Sequence, residues 1–306
     1  MQLSSSTVAI TGATGFLGHY LARAFLARDA HVVAVVRNPA RAADLKAAGI
    51  EVRKADLADR EALARAFRGV DAVVSNAAML SLVPGQWDAY LRANLEGTRN
   101  VYTAIVEAGV GRAVQMSSIS VYASHRGRVD ENRPLRSGQR RPLPWLAYPT
   151  SKALSEHLAW EMAGSSGIDL TALRPSAIFG ANDATFTPIH TTLIRPKHLT
   201  LYPCYTRFCI VYAGDVAEAA CLALERPASR GRAYNVSGKD CTLWEFCDAW
   251  RAAGGDVPRW RIPVPVPYRH RYSSERLRAE LGWQPRPHVE TIRETLAMKS
   301  AIRSPA

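Results

Sequence analysis

Cysteine is scarce and unclustered in this chain: Cys204, Cys209, Cys221, Cys241 and Cys247 are five residues in 306, an odd number with no C-x-x-C pair and no histidine cluster at ligand spacing. A disulfide framework and a thiolate metal site are both excluded on that pattern, so thiols in a reducing compartment and no bound metal are expected. Long apolar runs are missing too, none approaching the ~18 uncharged residues of a membrane span, and Met1 to Ser6 has neither a basic nor an apolar leader segment. A cytoplasmic protein with no membrane partner is the expectation. Acidic residues are outnumbered, 27 against 39 Lys plus Arg, for a net charge of +12. That surplus could favour a polyanion or a phosphorylated ligand. Arginine is nevertheless spread along the whole chain, with concentrations only at Arg136 to Arg141 and Arg259 to Arg278. Trp260, Tyr268 and Tyr272 interleave with the second concentration, but Pro258, Pro263, Pro265 and Pro267 make it read as an extended connection, and no nucleic-acid partner is expected.

What the chain does have is an alternation of short β-branched runs with longer amphipathic stretches from residue 7 to about 175. Strands are predicted at Thr7–Thr11, His31–Val36, Glu51–Lys54, Ala72–Ser75, Arg112–Met116 and Asp169–Leu173, with helices near 16–28, 39–48, 59–68, 86–109 and 147–163. Such a rhythm predicts an α/β fold: a Rossmann-type doubly wound parallel sheet with right-handed crossovers, and ligands at the carboxyl ends of the strands. After Arg174-Pro175 the rhythm breaks. Residues 1–175 are predicted as the dinucleotide-binding core, with 207–228 (strand Phe208 to Tyr212, then a helix from near Gly214-Asp215) returning to its sheet. Residues 176–206 and 229–306 are assigned to a smaller C-terminal substrate lobe.

The first strand runs into Thr11-Gly12-Ala13-Thr14-Gly15-Phe16-Leu17-Gly18 and then into a helix. Glycines at this spacing let backbone N–H groups approach a pyrophosphate, and the helix N-terminus favours the anion. The second strand ends in Val36-Arg37-Asn38 with no acid to bind a ribose 2′-hydroxyl. NADP(H) is therefore preferred over NAD(H), with Arg37, or Arg41 in its place, on the 2′-phosphate. Asp56-Leu57 follows the third strand, where the carboxylate could meet the adenine amino group or cap a helix beginning near Ala58. Asn76-Ala77-Ala78 closes the fourth strand with small residues that let the cofactor pass close.

Tyr148 and Lys152 are four apart and share a helix face, so an ammonium beside the phenol is expected to lower its pKa. Ser117-Ser118 ends the fifth strand at the same sheet edge, where a hydroxyl could hold a substrate oxygen. With these motifs on the page, the chain resembles the extended short-chain dehydrogenases/reductases, the branch that includes nucleotide-sugar epimerases and dehydratases, 3β-hydroxysteroid dehydrogenases and dihydroflavonol-type reductases. The resemblance runs nearly the full length, through the glycine motif, Asp56-Leu57, Asn94 to Asn100, Ser117 to Tyr122, Tyr148 to Lys152, Leu173-Arg174-Pro175 to Phe179-Gly180, Asp215 to Glu218 and Leu281 to Pro285. It implies that Ser118 is the catalytic serine and Tyr148 the acid–base. Lys152 would tune Tyr148 and hold the nicotinamide ribose, and Asn94 would be largely structural. Pro175, Ser176 and Ile178 would lie against the nicotinamide carboxamide, and a homodimer is implied as well.

Asn76 and the glycine-poor stretch Leu201 to Arg207 depart from the family pattern and bear on substrate class. Ser120, Phe179, Phe186, Ile189 and Tyr205 are expected to line a largely apolar pocket for a small-molecule substrate. The favoured activity is hydride transfer between nicotinamide C4 and an apolar ketone or secondary alcohol. An NAD-dependent nucleotide-sugar epimerase is the alternative; sugar dehydration is disfavoured because Ser118-Ile119-Ser120 lacks the Asp-Glu pair of the dehydratases. A non-catalytic dinucleotide sensor is the third reading, and retention of Tyr148 and Lys152 weighs against it.

Overall fold

The computed structural model describes residues 1–81, 85–138, 141–183, 200–202, 207–257, 261–263 and 271–303. The first half alternates as the sequence predicts: β1 (Thr7–Thr11), α1 (Phe16–Leu26), β2 (His31–Val36), α2 (Ala43–Ala47), β3 (Glu51–Lys54), α3 (Arg60–Ala66), β4 (Ala72–Ser75), α4 (Trp87–Tyr90), α5 (Gly97–Glu107) and β5 (Arg112–Met116). Between α4 and α5 the helix continues through a π-helical stretch, Leu91–Glu96. The chain then forms β6 (Arg128–Val129), α6 (Ala147–Ser166), β7 (Asp169–Pro175), β8 (Ala177–Phe179), β9 (Thr200–Tyr202), β10 (Arg207–Tyr212) and α7 (Ala213–Glu225). Last come β11 (Arg232–Val236), β12 (Asp240–Thr242), α8 (Leu243–Ala252), β13 (Arg261–Pro263), β14 (Arg271–Tyr272), α9 (Glu275–Leu281) and α10 (His288–Arg303).

Seven parallel strands form one sheet in the order β11-β7-β5-β4-β1-β2-β3. Side chains alternate across it with the period of a strand. Val8 and Ile10 of β1, with Val32, Ala34 and Val36 of β2, point to the face covered by α1 and α7. Ala9, Val33 and Val35 point to the face covered by α3, α5 and α6. Both faces are dry, which is why these strands read as continuous apolar runs. On α1, Leu17, Leu21, Ala22 and Phe25 recur at helical spacing and are buried. The long α6 ends at Gly167, whose φ of +69° supplies the left-handed cap.

The seventh strand differs from the sequence expectation. Phe208–Tyr212 does not return to the main sheet: β10 pairs with β8 and β12 in a separate three-stranded sheet, and β11 fills the edge beside β7. The reason is that both sides of β7 are taken, by β5 and β11. Beyond Pro175 the chain turns, Ser176 N–H donates to Val236 O at 3.0 Å, and β8 leaves in a new direction that β10 joins. Around that second sheet Phe179, Ile210, Tyr212, Leu243, Phe246 and Trp250 form the lobe's own core. Among the described residues no helix is long and apolar enough to cross a membrane.

Candidate functional site

The glycine turn is shaped by its neighbours as much as by its glycines. Gly12 sits at φ +66°, and a Cβ there would fall 2.9 Å from Ala77 Cα, so the turn can lie directly on the chain leaving β4. Thr11 Oγ1 fastens that approach by accepting from the backbone N–H of Asn76 at 3.0 Å and of Ala77 at 3.1 Å. The Asn76 side chain returns a bond to Thr11 O at 3.3 Å, and Ala78 follows at the surface. A side chain at Gly18 would strike the backbone of Ala13 at 2.7 Å. Gly15 is the N-cap of α1 and offers no capping side chain. The first N–H groups of that helix, over Phe16 and Leu17 and beside Thr14, are thus available to an anion.

Arg37 follows β2 with its side chain 80% exposed, its Nε 3.9 Å from Asp56 Oδ2. Arg41 lies in a short 3-10 turn opened by Pro39 and is exposed as well. Asp56 does not cap α3: its Oδ1 accepts from Ala58 N at 2.9 Å in a local turn, and the cap is Asp59, which accepts from Ala62 N at 2.9 Å. The helix starts two residues later than the sequence suggests because that local turn intervenes. Leu57 packs against Gly97, and its carbonyl accepts from Asn100 Nδ2 at 2.8 Å.

Ser118, Tyr148 and Lys152 come together between the carboxyl end of β5 and the first turns of α6. The Ser118 side chain lies near enough to the Tyr148 phenol to oppose the rise in its pKa, and its Oγ accepts from the hydroxyl and the N–H of Ser120 at 3.0 and 3.2 Å. Lys152, 3% exposed, donates from Nζ to Met116 O at 2.7 Å. Met79, Trp87, Tyr90, Leu91, Ala147 and Leu154 form an apolar cluster with Tyr148. The expected lowering of the phenol is not what this environment gives. Burial pushes Tyr148 up to about 12, with Ser118 opposing, and Lys152 is not among the groups that shift it. Burial instead pulls Lys152 down to about 8, with Glu156 opposing.

Asn94 stands in the π-helical stretch, buried, where an extra residue per turn aims its side chain inward. Nδ2 donates to Ser151 Oγ at 3.0 Å and to Met79 O at 3.2 Å, while Oδ1 accepts from Met79 N at 2.7 Å. It ties the loop after β4 to the Tyr148 helix. Pro175 and Ser176 are buried at the end of β7, Ile178 is half-buried, and Ser176 Oγ has no hydrogen-bond partner among the described residues. That orphaned hydroxyl and the Gly12 cradle are two features that fit a bound dinucleotide.

Of the residues expected to line the substrate pocket, Ser120 is at the site. Phe179 is not: it is 1% exposed inside the second core, edge-on to Phe246, because β8 turns it away from the main sheet. Phe186, Ile189 and Tyr205 lie outside the described residues. Sequence reasoning missed Thr11 and Glu156. Thr11 opens the glycine motif and Glu156 lies one turn beyond Lys152, but only the cross-strand contacts of Thr11 and the burial of Glu156 reveal their parts.

Residues 8–237 match the family described as NAD dependent epimerase/dehydratase. The chain is similar to sterol demethylase protein B of Methylococcus capsulatus, 31% identical over 261 residues, 85% of this chain and 77% of that one. It is equally similar to the 2-alkyl-3-oxoalkanoate reductase of Stenotrophomonas maltophilia, 31% over 263 residues, 82% and 76%. Yeast methylglyoxal/isovaleraldehyde reductase complexed with NADPH shares the fold, with TM-score 0.80 and 20% identity over 97% of this chain and 100% of that one.

Proposed function

The chain belongs to the NAD-dependent epimerase/dehydratase family, within the extended short-chain dehydrogenases/reductases, and on that premise we propose that it is an NADP(H)-dependent reductase of a largely apolar ketone, reversible as the alcohol dehydrogenase. The observation that carries the reading is the convergence of Ser118, Tyr148 and Lys152 where β5 meets α6. Bound NADPH would supply the hydride to the carbonyl carbon. Tyr148 delivers its proton to the oxygen that gains the electrons, and Ser118 donates a hydrogen bond to that oxygen as charge develops on it. Lys152, protonated below about pH 8 and anchored on Met116 O, would donate to the nicotinamide ribose. Ser176, with Pro175 and Ile178 around it, would hold the nicotinamide carboxamide, which pairs its orphaned Oγ.

Arg37 supports the 2′-phosphate, with Arg41 as its neighbour, since β2 ends without an acid. Exposed apolar side chains favour an apolar substrate: Leu143 and Trp145, 55% and 71% exposed, stand just before α6 in the chain, and Leu80, 52% exposed, follows β4. Two relatives named for a sterol and for an alkyl-oxoalkanoate agree with that class.

The test is a titration with NADPH and NADH, followed by loss of nicotinamide absorbance with a panel of apolar ketones and nucleotide sugars, for wild type and Tyr148→Phe. Tighter binding of NADPH, and ketone reduction that falls by roughly 10²–10⁴-fold in Tyr148→Phe, are expected. Copurified NAD with turnover of a sugar nucleotide alone would replace this reading with the epimerase.

A further inference from the structure

The helix that carries Tyr148 and Lys152 holds another charged group, one with no part in the proton transfer. Glu156 lies one turn beyond Lys152, fully buried, and three elements converge on its carboxylate. From the end of β5, Ser117 Oγ donates to Oε2 at 2.5 Å. From the end of β7, Arg174 donates from Nη2 to Oε1 at 2.5 Å and from Nε to both oxygens at 3.0 and 3.1 Å. From α6 itself, Trp160 Nε1 donates to Oε1 at 3.2 Å. Arg174 also donates to the Tyr122 hydroxyl at 3.0 Å, which donates in turn to Asn235 on β11 at 2.6 Å. Two of these partners, Ser117 and Arg174, and Glu156 itself adjoin the candidate site. Ser117 precedes Ser118, Lys152 stands a turn before Glu156, and Arg174 leads directly into Pro175 and Ser176.

Stability alone does not account for this arrangement, because a buried ion pair is often matched or bettered by apolar residues of the same volume. What apolar residues cannot do is fix three elements by directional bonds, or set a negative charge beside a buried ammonium. The titratable and charged groups facing Glu156 are Arg174 from β7, Tyr102 from α5, Tyr122 from the turn after β5, and Lys152 on its own helix. Without the carboxylate, two buried cations would remain, and the guanidinium does not give up its proton. The ammonium would.

We propose that Glu156 is a positioning residue of the reduction: from the helix of Lys152 it grips Ser117 and Arg174, and so sets Ser118, Lys152 and the Pro175–Ile178 segment in one arrangement. The inference rests on the reading of Tyr148 and Lys152 given above. Its charge also opposes the loss of the Lys152 proton that burial favours.

Glu156→Gln, Glu156→Asp and Ser117→Ala in the full chain, beside wild type and Tyr148→Phe, test it through three readouts. These are the thermal midpoint, NADPH affinity by fluorescence from about pH 6 to 10, and kcat and KM for the ketone. Glu156→Gln is expected to weaken NADPH binding and kcat at a pH about one unit below wild type, with kcat down roughly tenfold or more and ketone KM little changed. Glu156→Asp, which keeps the charge, returns the pH position without restoring kcat. Ser117→Ala, which leaves the Arg174 pair intact, lowers kcat and does not move the pH position. A lower thermal midpoint with kcat and pH profile unchanged in the folded variants overturns the proposal. If Glu156→Gln does not fold, wild-type kcat in both Glu156→Asp and Ser117→Ala overturns it equally. Undiminished reduction by Tyr148→Phe takes down the site reading and the proposal with it; an inactive Tyr148→Phe beside a wild-type-like Glu156→Gln takes down the proposal alone.

Discussion

Lys152 and Tyr148 lose protons in the reverse of their ordinary order, and this gives the enzyme a pH signature. Burial lowers Lys152 from 10.5 to about 8 and raises Tyr148 from 10.0 to about 12. Between about pH 8 and 10.5 the unfolded chain holds a lysine proton that the folded chain lacks, so the contribution of Lys152 to stability rises with pH in that window. Tyr148 acts oppositely from about 10 to 12, where the folded chain keeps a proton that the unfolded chain has lost. For ketone reduction both groups must be protonated, so kcat/KM is expected to fall above about pH 8 in wild type. Lys152→Arg, which stays charged, should lose that limb while keeping a lower kcat. A limb that stays near pH 8 in Lys152→Arg would assign it elsewhere. Ser176 makes a separate case. Its Oγ is buried without a partner among the described residues, so Ser176→Ala is expected to leave the thermal midpoint unchanged or raised. The same change should weaken NADPH roughly threefold to tenfold, the worth of one neutral hydrogen bond. A lowered midpoint with unaltered affinity would make that hydroxyl structural.

At the scale of elements, legibility followed the range of the interactions that set each one. The strands β1 to β5 matched their sequence bounds because each is a short run bounded by turn residues, and β1, β2, β4 and β5 are buried almost throughout while β3 is the half-buried edge, a signal local to the strand. The π-helical stretch at Leu91–Glu96 carried no such signal. It is set by the bonds of Asn94 to Met79 and Ser151, from segments 15 and 57 residues away. Likewise Asp56 and Asp59 are both good caps by type, and only the local turn at Ala58 decides between them. In the site, Ser118, Tyr148 and Lys152 were legible as a motif, whereas the balance of their proton affinities was not, because burial is a property of the packed molecule. The glycine turn is the element with the sharpest steric demand. Gly12→Ala places a Cβ 2.9 Å from Ala77 Cα at a φ of +66°, a conformation costing about 1–2 kcal/mol for an L-residue before the clash is counted. Dinucleotide affinity should fall roughly tenfold or more by fluorescence titration, with the far-UV spectrum kept. Wild-type affinity in Gly12→Ala would mean the cofactor does not lie on this turn.

For the whole molecule, the consequential difference from the sequence reading is which late segment completes the sheet. β11 pairs with β7 along all five of its residues, Arg232 to Val236, and Tyr234 and Val236 enter the main core. Beyond it, Leu277, Leu281 and Trp283 enter the same core, with Trp283 Nε1 donating to Asp215 O at 2.8 Å and Arg286 Nε to Asp215 Oδ1 at 2.8 Å. The chain after residue 229 therefore closes the dinucleotide half as well as serving the second lobe. A chain ending at Ser229 would strip β7 of an edge partner and the core of Tyr234, Val236, Leu277, Leu281 and Trp283. Large core side chains contribute about 2–5 kcal/mol each against a total stability on the order of 5–15 kcal/mol. The loss exceeds what the remainder can hold. Such a truncation is expected to be insoluble or to melt without cooperativity, and to leave NADPH fluorescence unchanged, while the full chain melts cooperatively at a midpoint that rises with NADPH. A soluble 1–229 fragment with a cooperative transition and bound NADPH would show that the sheet folds without its seventh strand, and that β11 serves the second lobe alone.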